Sequence, residues 1–166
     1  MLRIFLFLCS LIALTNMRAT ACGCVGTSTV AGGLMRSDFV AVGTVKAKPL
    51  ITATTALKEA KYVAVLNTVD TLSFWKQYRY TVEIEEVFKG KLYQKTVEIF
   101  TGLGGGDCGV KFLVGKQYTI YAKSQRTRNF NGKQLKVSPF LTTDICTRTI
   151  EANETKLTEL RKANSR

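Results

Sequence analysis

The chain has 166 residues, a formal charge of +12 and not one histidine. That length suits one ordinary domain with a single core. The missing histidine removes the usual general base, the Ser-His and Cys-His nucleophile pairs and the commonest zinc ligand, so the residues argue against an enzyme.

Residues 1–21 read as a secretory signal. Arg3 gives the positive start, Ile4 to Leu14 is apolar, and Ala19-Thr20-Ala21 is a small-residue cleavage signature. The apolar run is shorter than the roughly 20 residues that a membrane helix needs. No later segment is long and apolar enough to span. The product, residues 22–166, is therefore expected to be a secreted, extracellular domain. Losing Arg3 and Arg18 lowers the formal charge from +12 to +10. Such a surplus suits acidic partners such as the glycosaminoglycans of an extracellular matrix. No nucleic-acid motif accompanies it.

Cleavage after Ala21 makes Cys22 the first residue, followed by Gly23 and Cys24. A new N-terminal residue carries a free α-amine beside its own carbonyl. The amine has a pKa near 8, so its neutral, ligating form is accessible at physiological pH. Amine nitrogen and carbonyl oxygen together make a five-membered chelate. That chelate fits the open position which a catalytic zinc keeps for water. Displacing the water removes the nucleophile on which a metalloprotease depends.

Most of the remaining chain reads as strands. Asp38 to Val45 is β-branched and apolar on both faces, as a buried strand would be. The segment Pro49–Lys76 is read as an extended hairpin or a long loop with a helical turn around Ala56–Ala64. In Tyr78–Phe88 the residues Tyr78, Tyr80, Val82, Ile84 and Phe88 fall on one face, against Arg79, Thr81, Glu83 and Glu85. Glu83, Glu85 and Glu86 have basic neighbours and read as a solvated strand face. Short strands follow at Thr96–Thr101, Gln117–Ala122 and Lys133–Leu141, with Asn131-Gly132 as a hairpin signal before the last. Ile150, Leu157 and Leu160 then share a helical stripe, with Glu151 and Glu154 early, Arg161 and Lys162 late and Thr149 as N-cap. The glycosylation sequon Asn153-Glu154-Thr155 lies inside that predicted helix. About five strands and a terminal helix predict a mainly β fold: a closed five-stranded Greek-key barrel of the oligonucleotide/oligosaccharide-binding (OB) type.

Of five cysteines, Cys9 lies in the signal, which leaves Cys22, Cys24, Cys108 and Cys146. An even number in an oxidising compartment favours two disulfides. Cys22 and Cys24 are too close to bridge each other without strain, so each takes a distant partner, and the residues leave both pairings open. Gly102-Leu103-Gly104-Gly105-Gly106 is followed by Asp107-Cys108-Gly109 rather than by Gly-Lys-Ser/Thr. It reads as a flexible turn into a disulfide, not as a phosphate cradle.

Several blocks in order resemble the inhibitory domain of the tissue inhibitors of metalloproteinases and their netrin-like relatives. They are Cys22-Gly-Cys-Val25 after the cleavage site, Ser37-Asp38-Phe-Val, Gly43-Thr44-Val, and Tyr80 to Gly90. Asp107-Cys-Gly-Val110, Gly115 to Ala122 and Cys146-Thr-Arg-Thr149 continue the series. The resemblance covers nearly all of residues 22–166. It implies bridges Cys22–Cys108 and Cys24–Cys146, with Cys22 chelating the zinc of a partner metalloprotease and no cofactor of the chain's own. It further implies that Gly23, Cys24, Val25 and Gly26 lie in the protease cleft, and that Gly104, Gly105, Gly106 and Asp107 form part of the same ridge. The Pro49–Lys76 segment corresponds to a hairpin that widens the contact in some members. Residues 25–107 contain no cysteine, so the family's third bridge is not expected, and residues 147–166 hold no cysteine of the kind that marks the family's second domain. In the family, the position of Gly23 points a side chain into the specificity pocket. Glycine offers none, which predicts weaker inhibition. The competing expectation is a non-inhibitory extracellular binding module that uses its basic surface for glycosaminoglycan or a protein receptor.

Overall fold

A computed structural model describes residues 22–24, 29–52, 55–56, 76–130 and 133–165. The proposed signal, Val25, Gly26, the Asn131-Gly132 turn and most of the Pro49–Lys76 segment lie outside these residues. In chain order the elements are α1 (Val30–Arg36), β1 (Phe39–Ala47), β2 (Leu50–Thr52), β3 (Lys76–Lys89), β4 (Thr96–Thr101), β5 (Gln117–Phe130), β6 (Lys133–Thr142), β7 (Ile150–Glu151) and α2 (Glu154–Asn164).

The fold is mainly β, with the strands in one sheet and a helix at the C-terminal end. β1 runs antiparallel to both β3 and β5. β3 also takes β2 and β4. β4 meets β6 in parallel, through Ile99–Leu141 and Phe100–Thr142. β6 pairs antiparallel with β5, whose first residues carry β7.

The buried faces of these strands form one core around Ala41, Val45, Tyr80, Val82, Ile99 and Ile120. A second cluster, Val40, Val42, Phe88, Tyr121, Leu157 and Leu160, joins the outer face of the sheet to α1 and α2. An isolated helix as short as α2 is marginal in water. Burying Leu157 and Leu160, at about 1.5–3 kcal/mol each, supplies what propensity does not.

Three expectations need correction. Phe88 leaves the face of Tyr80, Val82 and Ile84, because β3 carries an extra residue at Glu85 in its pairing with β1 and Val87 takes the next place on that face. Such a bulge flips the alternation. The N-cap of α2 is Asn153, not Thr149; Asn153 Oδ1 accepts the Lys156 N–H at 3.0 Å. The Thr149 hydroxyl oxygen is already engaged by the Tyr121 N–H at 2.9 Å, and Ile150 is an exposed β7 residue. The sequon asparagine thus stands at the helix boundary, exposed, rather than inside the helix. Last, α1 was not expected from the pattern. Its Gly32-Gly33 pair and Val30 are poor helix formers, but Thr29 caps it by accepting the Gly32 N–H, and Gly33 lets it close on the ring of Tyr121.

Candidate functional site

The chain leaves β4 at Thr101 and turns back at once. Val110 N–H donates to Thr101 Oγ1 at 2.9 Å, which closes the loop 102–110. Gly109 packs so tightly on Gly102 that a Cβ there would lie 2.2 Å from the Gly102 carbonyl oxygen. Further on, Phe112 is fully buried. Its N–H and that of Leu113 donate to the hydroxyls of Tyr80 and Tyr118 at 3.3 and 3.0 Å. The loop is therefore anchored at both ends.

Asp107 organises its middle. One carboxylate oxygen accepts the Leu103 N–H at 2.6 Å; the other accepts those of Gly104 at 2.7 Å and Gly109 at 3.2 Å. Burial raises the pKa of this carboxyl, but the N–H donors of Leu103, Gly109 and Gly104 outweigh it and hold the group below its ordinary value. The segment read as a flexible turn is thus tied around one side chain. Gly104 takes φ +85°, the left-handed conformation that glycine adopts without strain.

A depressed carboxyl stabilises the fold above its unfolded pKa and loses that contribution as pH falls through the folded value. The ordering of this loop should therefore persist at the ordinary value of 3.8 and fail only at lower pH, as the folded carboxyl itself takes up a proton. Asp107→Ala should cost about 1 kcal/mol, at the low end for stranded donors because the loop is open to water. It should also expose the loop to limited proteolysis at neutral pH. A variant as protease-resistant as the parent would overturn this role.

The second half of the site comes from the chain after β6. Asp144 Oδ1 accepts the Cys146 N–H at 2.8 Å, and the Ile145 N–H donates to the Cys108 carbonyl at 3.0 Å. The hydroxyls of Thr143, Thr147 and Thr149 close the turn, with Thr143 bonding back to the Tyr121 carbonyl at 3.0 Å. Cys108 and Cys146 are thereby held side by side. The N-terminal segment docks on both, through bridges Cys22–Cys108 and Cys24–Cys146 with Cα–Cα distances of 5.6 and 5.2 Å. Cys22 Sγ lies 4.0 Å from the Gly106 carbonyl oxygen. The bridge to Cys108 and the approach to Gly106 thus bring Cys22 beside the loop that carries Gly104, Gly105, Gly106 and Asp107, while Gly23 and Cys24 lead on to Cys146. Val25 and Gly26 lie outside the described residues.

Cys22 is half-buried, whereas Gly23 and Cys24 are exposed. A Cβ built on Gly23 would meet nothing within 4 Å. Ile145, about half exposed, precedes Cys146 in the turn after β6. It was not singled out from the sequence, and its place next to a bridged cysteine is the only local signal. The strand carboxylates lie elsewhere. Glu83 is pulled to about 2 by Lys46 and then Lys95, a pairing on the solvent face. Among the described residues no group of three or more His, Cys, Asp or Glu is placed to hold a metal ion, and no helix is long and apolar enough to cross a membrane.

No family model matches this chain, and a search of the curated proteins finds no match.

Proposed function

We propose that the chain is the precursor of a secreted inhibitor of zinc metalloproteases, related to the tissue inhibitors of metalloproteinases and their netrin-like relatives. In this reading the successive pairings β1–β3–β4–β6–β5–β1 form a closed OB-type barrel, and residues 22–166 are one domain on it. The observation that carries the proposal is the double pinning of Cys22-Gly23-Cys24, by Cys108 in the Asp107 loop and by Cys146 in the turn after β6. A chain end fixed on both sides of an exposed residue is a rigid wedge. Rigidity matters because the cost of ordering a flexible end is removed before binding.

In the full chain the nitrogen of Cys22 is a peptide amide and cannot ligate. Removal of residues 1–21 converts it into a basic amine next to the Cys22 carbonyl. Those two atoms take the water position on the partner's zinc. Gly23 and Cys24 continue into the cleft, and the Gly104–Asp107 segment braces the wedge from the side. Inhibition here is reversible exclusion of water; the chain contributes no catalytic residue.

The test is titration of the correctly processed protein against a panel of zinc metalloproteases, with zinc-independent proteases as controls. Inhibition confined to the zinc enzymes supports the proposal. The open space at Gly23 supplies a gain-of-function arm. Gly23→Thr should leave the fold unchanged and strengthen inhibition about 10- to 100-fold, the value of filling a small pocket. If neither the parent nor Gly23→Thr inhibits any member of the panel, the proposal fails.

A further inference from the structure

β5 pairs with β1 only as far as Ala122, and β6 touches β4 only at Leu141 and Thr142. Beyond those points the two strands continue as a ribbon, paired only with each other among the described residues, to Phe130 and Lys133. The charge on this ribbon is one-sided. Lys123, Arg126, Arg128, Lys133 and Lys136 fall within residues 123–142, and no Asp or Glu occurs anywhere from 108 to 143. Lys123, Arg126 and Lys136 are exposed. Lys123 stands opposite Thr142, and Lys136 stands opposite Thr127 beyond an irregularity in the pairing between Gln125 and Thr127. Lys123 and Lys136 are therefore about 13 Å apart along the ribbon.

Two further features shape this surface. Arg128 is fixed, its guanidinium 4.0 Å from the ring centre of Phe140 and 4.6 Å from that of Phe100 while it donates to Gln77 Oε1 at 3.0 Å. At the base of the ribbon, Lys123 and Arg36 line a cavity of about 130 Å³ with Ser37 and Thr147. Two cations and two hydroxyl-bearing residues around so small a space suit one anionic group.

We propose that the Arg36–Lys123 cavity and the β5–β6 ribbon form a binding track for a sulfated glycosaminoglycan. The track uses neither the Cys22 amine nor Gly23, so its ligand does not compete for the chelating atoms, although Cys146, the bridge partner of Cys24, also lines the cavity. A sulfated sugar fits better than the other polyanions. Leu135, Val137, Phe140 and Leu141 are half-buried, which leaves little apolar surface to enter a lipid layer. Phe140 is covered by Arg128, so it is no open platform for stacking bases. Two disulfides suit an oxidising compartment, where the abundant polyanions are sulfated polysaccharides.

Binding to immobilised heparin at physiological salt tests the track. The variant Lys123→Gln/Arg126→Gln/Lys136→Gln should bind about 30-fold more weakly, three exposed charge contacts being lost. A control that removes the same charge elsewhere, Lys76→Gln/Lys91→Gln/Lys162→Gln, should stay within about threefold of the parent. Thermal melting of both variants checks that the fold is kept. Equal losses in the two variants would mean that only net charge matters and would overturn the track. Duplex DNA or phosphatidylserine vesicles binding the parent as tightly as heparin does would overturn the sugar assignment.

Discussion

On the zinc-chelating proposal, adding one alanine ahead of Cys22 is expected to weaken inhibition by the processed protein about a hundredfold or more, without changing its melting temperature. Losing a group that merely orients a zinc ligand already costs about 10- to 100-fold, so losing ligation itself costs more. The added residue converts the Cys22 amine back into a non-basic amide and sets the new amine about 3.8 Å further along the chain. The fold should not register the change, because both bridges and the Asp107 loop remain intact. Acetylating the amine should act in the same way. The amine must be neutral to ligate, so inhibition by the unmodified protein should also strengthen as pH rises toward 8 and weaken in acid. An alanine-extended protein that inhibits as well as the parent would remove the chelating wedge and leave the basic-surface reading.

The sequence was most informative where one local force dominates. β4 spans Thr96–Thr101, the bounds read from the sequence, and the cysteines at 22, 24, 108 and 146 announced that the segment at residue 22 is tied to the body. It was least informative where a residue's partner is distant in the chain. Phe88 changes face because β3 bulges against β1; the pair Glu85-Glu86 breaks the alternation there, but only the pairing with β1 shows which residue is the extra one. Thr149 has the composition of an N-cap, yet Tyr121 claims its oxygen from 28 residues away. α1 contradicts its own propensities, since its stability comes from the packing of Gly33 under Tyr121. At the site, the glycine run was visible but its order was not. That order depends on three backbone donors converging on Asp107, which no spacing rule encodes. The segments 143–149 and 102–110 likewise meet only in space, through the Ile145 bond to Cys108.

Replacing Cys24 and Cys146 together by serine is expected to lower stability by about 4 kcal/mol and the melting temperature by roughly 10–15 °C. The bridge spans 122 residues of sequence. With Cys22–Cys108 kept, however, the loop it closes runs only from 24 back to 22, across that bridge and on from 108 to 146. That route of about 40 residues sets the entropy restored to the unfolded chain. Both cysteines are exposed, so serine leaves no cavity and strands no buried group. The turn carrying residue 146 should persist, because Asp144 and the three threonine hydroxyls fix it independently of the bridge. Inhibition should fall as well, since the terminus is then pinned on one side of Gly23 only and must be ordered on binding. The two effects separate by temperature: well below the melting point the double variant is folded, and any loss of inhibition there belongs to the wedge. A melting temperature within about 3 °C of the parent would show that the hydrogen-bonded turns, not the Cys24–Cys146 bridge, hold this end of the fold.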